Sequence, residues 1–309
     1  MSEIYQKTLA NSVSFQGIGL HSGKNSKVRI LPGKSNQGII FKRIDLKINN
    51  LIEAKFDNVC STRLCTTLRN KHGVKVSTVE HLLAALYIAG IDNTIVEIDN
   101  EEVPIMDGSA KDFLSLIKQI ELETLDQKRK YLKIIDKIEL VDGERKISIE
   151  PKNNSLEVDF KLNYKNKIIG KQRNSINFQT DNLEDVSNSR TFCLFKDINK
   201  IKKMGLAKGG SLDNALVVDE EKILNEDGLR NHKEFVNHKI LDLAGDFLLS
   251  GYRILGKVYC YQGGHELSNL FLRKLLSNQT TFEIKELSQN ISISKKTGSQ
   301  LPIKQVVNA

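Results

Sequence analysis

The stretch HKILDLAGD, residues 238–246, carries three side chains able to bind a metal ion. Because an α-helix turns by about 100° per residue, His238 and Asp242 share one face, and Asp246 lies a further turn along the same side. A histidine and an acid four residues apart on a helix are typical of paired zinc ligands. A solvent-facing polar stripe would carry the same residues, so this segment alone leaves both interpretations open.

A second polar pair interrupts the apolar segment VSTVEHLLAAL, residues 76–86. Ser77 and Glu80 form the S-x-x-E pattern of a capping box, in which both side chains bind free N–H groups at a helix start. That interpretation explains Glu80 without a catalytic role, but it gives no reason for His81. Together with the histidine and aspartate of the later segment, His81 would complete three ligands and leave a fourth position open, as in catalytic zinc sites.

An internal repeat would bring the two segments together. Residues 80–98 predict a helix, a glycine and a strand, and residues 237–261 repeat that order with histidine again in second place. A duplicated fold places equivalent helices near a pseudo-two-fold axis, where the two histidines would meet. The repeat therefore predicts two half-chains of the same α+β build, each with helices on one face of a sheet.

A charged stretch, ETLDQKRKY (123–131), separates the two halves and predicts a linker. The expected strands are 27–31, 38–44, 94–98, 132–141, 145–150 and 155–164. The expected helices are 78–89, ended by Gly90, and a second one capped by Ser109 and Asp112. The predicted division is an N-terminal domain 1–125, a linker 126–131, a C-terminal domain 132–287 and a polar tail 288–309.

The composition is that of an ordinary globular chain. With 309 residues, 39% hydrophobic and 27% charged, it fits two domains. The longest apolar run is far too short to span a bilayer and no secretory signal is recognisable, so we expect no stable membrane insertion. Four cysteines without paired spacing indicate a reducing, cytoplasmic setting. The net charge of +8 comes mostly from scattered lysines and leaves open an anionic partner or a general compositional drift.

A series of short motifs in a fixed order resembles one known family across essentially the whole chain. The motifs are GIGLHSGK (17–24), LCTTL (64–68), STVEHLLAAL (77–86), GIDN (90–93), PIMDGSA (104–110), SRTF (189–192), GGS (209–211), LNEDGLR (224–230), HKILDLAGD (238–246) and GGH (263–265). They resemble the UDP-3-O-acyl-N-acetylglucosamine deacetylase family, zinc enzymes of lipid A synthesis in Gram-negative bacteria. The resemblance implies a two-layer sandwich of two duplicated β-α-α-β domains, with the metal site at their junction.

The resemblance also implies a role for each residue that matches a family motif. The implied ligands of zinc, or of iron(II) in the cell, are His81, His238 and Asp242. The implied catalytic residues are Glu80 as general base, His265 as protonated acid, Asp246 as its carboxylate partner and Thr191 as oxyanion donor. The implied substrate contacts are Lys239 and Phe192, with Leu20, Gly210, Ser211, Ala215 and Val217 lining an acyl-chain passage. The chain departs from some relatives at Thr67, where they carry a second cysteine.

The activity implied is hydrolysis of the N-acetyl amide of UDP-3-O-(3-hydroxyacyl)-N-acetylglucosamine, the committed step of lipid A biosynthesis. The expected protein is a cytoplasmic monomer that binds a UDP-linked acylated amino sugar and no nucleic acid. Two alternatives remain at this point: a zinc amidohydrolase for another acylated amine, and a basic nucleic-acid-binding α+β module. The binding module predicts affinity that falls steeply with salt and needs no metal, whereas the enzyme loses activity on chelation and recovers it with zinc.

Overall fold

The structure, a computed structural model, describes residues 4–287, and the predicted tail at 288–309 lies outside the described residues. The strands are β1 (Tyr5–Leu9), β2 (Val13–Ile18), β3 (Asn25–Pro32), β4 (Ile39–Arg43), β5 (Leu51–Glu53), β6 (Val59–Ser61), β7 (Thr67–Arg69), β8 (Lys75–Val76), β9 (Thr94–Ile98), β10 (Leu122–Lys128), β11 (Lys130–Ile134), β12 (Ile138–Asp142), β13 (Arg145–Glu150), β14 (Leu156–Asn163), β15 (Lys171–Asn177), β16 (Phe192–Leu194), β17 (Leu216–Val218), β18 (Arg253–Tyr261) and β19 (Phe282–Glu286). The helices are α1 (Glu80–Ala89), α2 (Lys111–Lys118), α3 (Glu184–Ser187), α4 (Ile198–Lys203), α5 (Glu234–Leu248) and α6 (His265–Ser277).

A five-stranded sheet with strand order β2-β3-β9-β4-β5 forms the framework of the first half. The central strand β9 is antiparallel to β3 and parallel to β4. In β3, Ser26, Val28 and Ile30 are buried while their neighbours face outward, the alternation expected of a strand with one covered face. The strands predicted at 27–31, 38–44 and 94–98 are therefore confirmed, with ends that differ by no more than two residues.

A seven-stranded sheet forms the framework of the second half. Its main path is β12-β13-β18-β11-β19, and β14 joins β18 while β15 pairs with β14. Helix α5 packs on β14 and β15, and α6 packs on β12 and β13. The single strand predicted at 132–141 is wrong, because the chain turns between β11 and β12. At that turn the N–H groups of Ile135 and Asp136 both donate to the carbonyl of Thr281.

The segment predicted to be a linker, 126–131, is formed by the end of β10 and the start of β11. Its first residues belong to β10, which pairs antiparallel with β1, and β11 begins directly after Arg129. Most side chains of β10 are exposed in this two-stranded ribbon, so a charged composition suits the strand as well as it would suit a linker. The division into domains 1–125 and 132–287 stays a prediction.

Helices α1 and α5 pack directly against each other between the two halves. The first eight residues of α1 and almost all of α5 are buried, as expected for helices that are covered on every side. At Gly245, an added Cβ would lie 2.1 Å from the carbonyl oxygen of Glu80, so only glycine permits this close approach. Gly90 and Gly251 follow the two helices in left-handed conformation, and β9 and β18 come next. The predicted repeat of helix, glycine and strand is therefore confirmed.

The mixed architecture confirms the α+β class. Each half contains its own sheet and helices, and none of the sheets in residues 4–287 closes into a barrel. Within that range, no helix is both long and apolar enough to cross a membrane.

Candidate metal centre and active site

Three buried side chains converge where α1 begins beside the first turns of α5. One potential ligand atom of each of His81, His238 and Asp242 lies within 4.8 Å of those of the other two. The Nε2 atoms of His81 and His238 lie 3.6 and 3.3 Å from Oδ1 of Asp242. The predicted shared face of the histidine and aspartate on α5 is thus observed, and α1 brings the third side chain to the same point.

The hydrogen bonding of His238 leaves a ring nitrogen free to bind a cation. Its Nδ1 lies 3.1 Å from the carbonyl oxygen of Ser189. Because a carbonyl can only accept, the ring proton is on Nδ1, and Nε2 presents a lone pair to Asp242. Burial lowers the pKa of His238 to about 3, so the ring stays neutral at pH 7. Two acceptors face each other, and Oδ1 of Asp242 is buried without a hydrogen bond in the described structure. A metal ion fits this donor set.

Lys239 fixes the orientation of the candidate carboxylate ligand. Its Nζ lies 2.8 Å from Oδ2 of Asp242, which leaves Oδ1 directed at the two imidazoles. Burial alone would raise the pKa of Asp242, but the electrostatic interactions of its carboxylate, first with His238 and then with Lys239, outweigh burial and lower that pKa. The Lys239 ammonium also lies 5.5 Å from the ring centre of Phe192. Burial lowers the pKa of His81 as well, which favours the neutral form that metals bind.

Glu80 does not form the predicted capping box. No side chain caps the start of α1, and the Ser77 hydroxyl donates to the carbonyl of Glu101. The Glu80 carboxylate is instead buried in the site, where Oε2 accepts the N–H of Thr66 at 3.0 Å and Oε1 lies 3.7 Å from Nε2 of His265. Burial raises the pKa of Glu80 to about 7. A carboxylate with a pKa near neutrality beside a metal ligand can serve as a proton acceptor.

His265 is the first residue of α6 and forms a hydrogen-bonded pair with Asp246. Its Nδ1 lies 2.9 Å from Oδ2 of Asp246, whose Oδ1 accepts the hydroxyl of Thr66 at 2.6 Å. Burial would lower the pKa of His265, but the carboxylates of Asp246, Glu80 and Asp242 outweigh it and raise the pKa to about 10. The ring is therefore cationic at neutral pH, and its Nε2 lies 3.7 Å from Oε1 of Glu80 and 3.9 Å from Oδ2 of the candidate ligand Asp242. The structure thus brings all the predicted catalytic side chains of α1, α5 and α6 together.

A buried ion pair holds the segment that carries Ser189 and Thr191. Oε1 of Glu234 accepts hydrogen bonds from the backbone N–H and from Nε of Arg190, at 3.1 and 2.9 Å. The side chains of this pair are only 2% and 0% exposed, whereas Asp227, which binds the other side of the guanidinium at 2.7 Å, is 61% exposed. Glu234 begins α5 one turn before the candidate ligand His238, so the pair joins that segment to the helix that carries His238.

Two adjoining cavities open beside the three candidate ligands. The polar one, about 310 Å³, is lined by Glu80, His265 and the three candidate ligands, and the apolar one is about 370 Å³. Leu20, Leu64, Thr191 and Phe192 line both. The apolar cavity is also lined by the remaining residues predicted for the acyl passage, namely Gly210, Ser211, Ala215 and Val217.

Comparison with known proteins gives this geometry a family. The model of the LpxC family, described as UDP-3-O-acyl N-acetylglycosamine deacetylase, matches residues 6–277. The chain belongs to this family. A UDP-3-O-acyl-N-acetylglucosamine deacetylase of Haemophilus ducreyi is 41% identical over 283 residues, covering 91% of this chain and 92% of that protein. A deacetylase of the same name from Pseudoalteromonas translucida is 41% identical, and the match covers 91% of this chain and 93% of that protein. Another from Mannheimia succiniciproducens is 42% identical, and the match covers 92% of this chain and 95% of that protein. The resemblance inferred from the motifs is confirmed.

Within this member of the deacetylase family, a buried carboxylate holds the loop that carries Leu20. Glu102 accepts the N–H groups of His21 and Ser22, at 2.8 and 2.6 Å, and the hydroxyl of Thr78 at 2.8 Å. Thr78 has a left-handed backbone with φ of 56° and lies two residues before α1. The loop at the apolar cavity and the start of α1 therefore share one carboxylate.

Four residues that organise the site were not predicted from the sequence. Thr66 and Ser189 lie inside family motifs and Glu102 lies two residues before one, so position near a motif was the available signal. Ser189 acts through its backbone carbonyl, and Glu234 acts through a tertiary ion pair. A bond to a backbone carbonyl and a tertiary ion pair leave no local pattern of their own in the sequence.

Proposed function

We propose that this chain is a zinc-dependent deacetylase that hydrolyses the N-acetyl amide of UDP-3-O-(3-hydroxyacyl)-N-acetylglucosamine to acetate and the free amine, the committed step of lipid A biosynthesis. The observation that carries the proposal is that the Nε2 lone pair of His238 faces Oδ1 of Asp242, a buried oxygen that accepts no hydrogen bond in the described structure. A near-neutral glutamate and a cationic histidine share the same cavity. The name shared by the relatives, UDP-3-O-acyl-N-acetylglucosamine deacetylase, supports the choice of substrate.

His81, His238 and Asp242 would hold the metal ion in this proposal. Two imidazoles and one carboxylate suit zinc, and the same set also suits iron(II). When bound, zinc lowers the pKa of a coordinated water to about 7 and polarises a substrate carbonyl.

Glu80 accepts the proton of the attacking water. With a pKa of about 7, its carboxylate is a good acceptor at neutral pH and a weak enough base to release the proton later. The N–H of Thr66 occupies Oε2, so Oε1 is available. The water oxygen bonds to the acetyl carbon, and the Thr191 hydroxyl donates to the carbonyl oxygen as negative charge develops. One such donor typically contributes about 2.7–4 kcal/mol.

His265 protonates the leaving nitrogen. The C–N bond breaks readily only when the amine receives a proton, and Nε2 supplies it while Nδ1–H remains bonded to Asp246. The raised pKa keeps the imidazolium as the resting form. After the C–N bond breaks, Glu80 holds the proton from water and His265 is neutral. Proton transfer across the 3.7 Å between Oε1 and Nε2 restores the starting state.

The two cavities suit the two parts of the substrate, with the polar cavity for the sugar head and the apolar cavity for the acyl chain. The acyl chain occupies the apolar cavity along Leu20, Ala215 and Val217, with Gly210 and Ser211 at its wall. Lys239 and Phe192 contact the head at the border between the two cavities.

We also propose that the protein is a monomer, that it works in the cytoplasm, and that it binds no nucleic acid. All three candidate ligands come from one chain, so one copy suffices for the site. The four cysteines are free thiols, which persist in a reducing compartment.

Acetate release from the UDP-linked acylated sugar tests the proposal. Activity should disappear when a chelator removes the metal and should return when zinc is added. Glu80→Gln should retain zinc, measured by atomic absorption, while losing most turnover. His238→Ala should lose the metal itself.

Two results would contradict the proposal. Undiminished acetate release from metal-free protein would exclude the metal mechanism. Faster release from an unrelated N-acetylated amine than from the UDP-linked acylated sugar would assign the same site to another amidohydrolase reaction.

A further inference from the structure

The opening of the apolar cavity exposes three large apolar side chains. Leu64, Phe195 and Leu212 all line the cavity, yet they are 48%, 52% and 46% exposed. Leu64 also has a left-handed backbone with φ of 62°, a conformation that disfavours a bulky residue. The fold therefore holds this leucine at the surface against its local preference. Apolar side chains grouped at one opening indicate a contact surface.

Lysines accompany this apolar group. The segment 195–212 contains five lysines and a single aspartate, Asp197. The lysines, all exposed, are Lys196, Lys200, Lys202, Lys203 and Lys208. Lys196 pairs with Glu220, whereas the other four make no ion pair within the described part of the chain. The segment thus presents a local excess of positive charge next to the apolar opening.

Helix α4 connects the two features. Ile198 and Ile201 line the cavity together with Lys202 at its rim. From the helical repeat, Lys200 and Lys203 then lie on the face of α4 that is turned away from the cavity lining. Beyond α4, Lys208 follows Ala207, another cavity residue, so basic side chains stand at two places around the opening.

We propose that this surface, with Leu64, Phe195 and Leu212 at its centre and the lysines around them, docks on a bilayer that contains anionic phospholipid. Lipid headgroups supply phosphate for the ammonium groups, and the acyl region supplies an apolar phase for the three central side chains. A soluble polyanion offers only the charge, so the exposed apolar centre favours lipid. The contact is peripheral because no helix in residues 4–287 can span a membrane.

Docking in this orientation would turn the apolar cavity toward hydrocarbon, so that an acyl chain could pass between the two without crossing water. The inference goes beyond the proposed hydrolysis. Binding to vesicles is measured without turnover, so its outcome is separate from that of the deacetylase assay.

Vesicle sedimentation tests the docking surface with the full-length chain. The protein should sediment with vesicles of phosphatidylcholine and phosphatidylglycerol, remain free with phosphatidylcholine alone, and be released by salt. Replacing Lys202, Lys203 and Lys208 by Gln should weaken binding on the order of a hundredfold, at about fivefold per lysine. A matched variant with Lys71, Lys137 and Lys161 replaced by Gln removes the same charge elsewhere and should bind nearly normally.

A second variant separates lipid from other anions. Phe195→Asn with Leu212→Asn keeps every lysine, and binding should fall roughly tenfold or more because apolar burial is lost. Unchanged thermal unfolding would show that each variant is folded. Absence of binding to the anionic vesicles, or equal losses in the two lysine variants, would overturn the proposal. So would equally tight binding of an RNA oligonucleotide that the Asn substitutions leave unaffected.

Discussion

The buried pair between Arg190 and Glu234 allows a quantitative prediction of how the site is held. Glu234→Gln keeps the size of the side chain but removes the charge of a carboxylate that is 0% exposed. The guanidinium, 2% exposed, then loses its interior counter-charge. Breaking a buried pair in this way costs about 3–5 kcal/mol, out of a total stability of roughly 5–15 kcal/mol. Because Asp227 still contacts Arg190, we expect a loss near the lower figure, about 3 kcal/mol.

Asp227→Asn supplies a matched control on the same arginine. Its carboxylate is 61% exposed, and exposed ion pairs contribute about 0–1 kcal/mol. Urea unfolding followed by circular dichroism measures both variants, with unchanged slopes as the sign that the unfolding transition is comparable. Equal losses in the two variants would refute the assignment of Glu234 as the partner that holds Arg190.

The same substitution also has an expected effect on the site. Arg190 lies between Ser189, which orients His238, and Thr191, which lines the cavity. Folded Glu234→Gln protein should bind zinc about 10–100-fold more weakly, the usual result of losing support for a ligand. Titration against a zinc indicator measures this, and wild-type affinity in the folded variant would refute the link between the pair and the ligand.

Three further predictions concern other parts of the site. Asp246→Asn removes the anion that raises the pKa of His265 above its usual 6.5. The falling limb of the kcat–pH profile, expected near pH 10, should therefore move about 1–3 pH units lower. A limb that does not move would assign the catalytic acid to another residue. Glu102→Gln leaves one backbone N–H of the loop at the apolar cavity without an acceptor. It should raise KM for the acylated substrate more than it lowers kcat. The neighbouring variant Glu101→Gln, at an exposed position, should change neither constant. Gly245→Ala places a Cβ 2.1 Å from a carbonyl oxygen of α1 and should lower the free energy of unfolding by about 1–3 kcal/mol, measured with urea, and weaken zinc binding. Unchanged stability together with a normal metal content would show that α1 and α5 can move apart without cost.

Local periodicity and motifs were sufficient to predict much of the site. The four-residue spacing of His238 and Asp242 predicted a shared helix face, because helix geometry depends only on neighbouring residues. The repeat of helix, glycine and strand predicted that α1 would meet α5. The acyl-cavity residues were predicted only through the family motifs, since nothing in their composition distinguishes them from an ordinary loop.

Features that depend on distant partners could not be predicted. Ser77 and Glu80 match a capping box, but the left-handed turn at Thr78 directs Ser77 away and leaves Glu80 inside the site. The chemistry of Ser189 resides in a backbone carbonyl, which every residue has. The charged stretch at 126–131 suits an exposed strand as well as a linker, and only the pairing of β10 with β1 decides between them.

The close packing of α1 against α5 has a consequence for how the protein matures on the ribosome. The two members of one hydrogen bond in the site, Thr66 and Asp246, are 180 residues apart. Helix α5 begins 145 residues after α1 ends, so at a typical synthesis rate of about 5–20 residues per second α1 leaves the ribosome about 7 to 29 s before α5 does. Throughout that interval, the buried face of α1 lacks the helix that covers it. Nascent chains stalled before α5 should therefore be sensitive to proteases near α1 and should associate with chaperones, until the second half arrives.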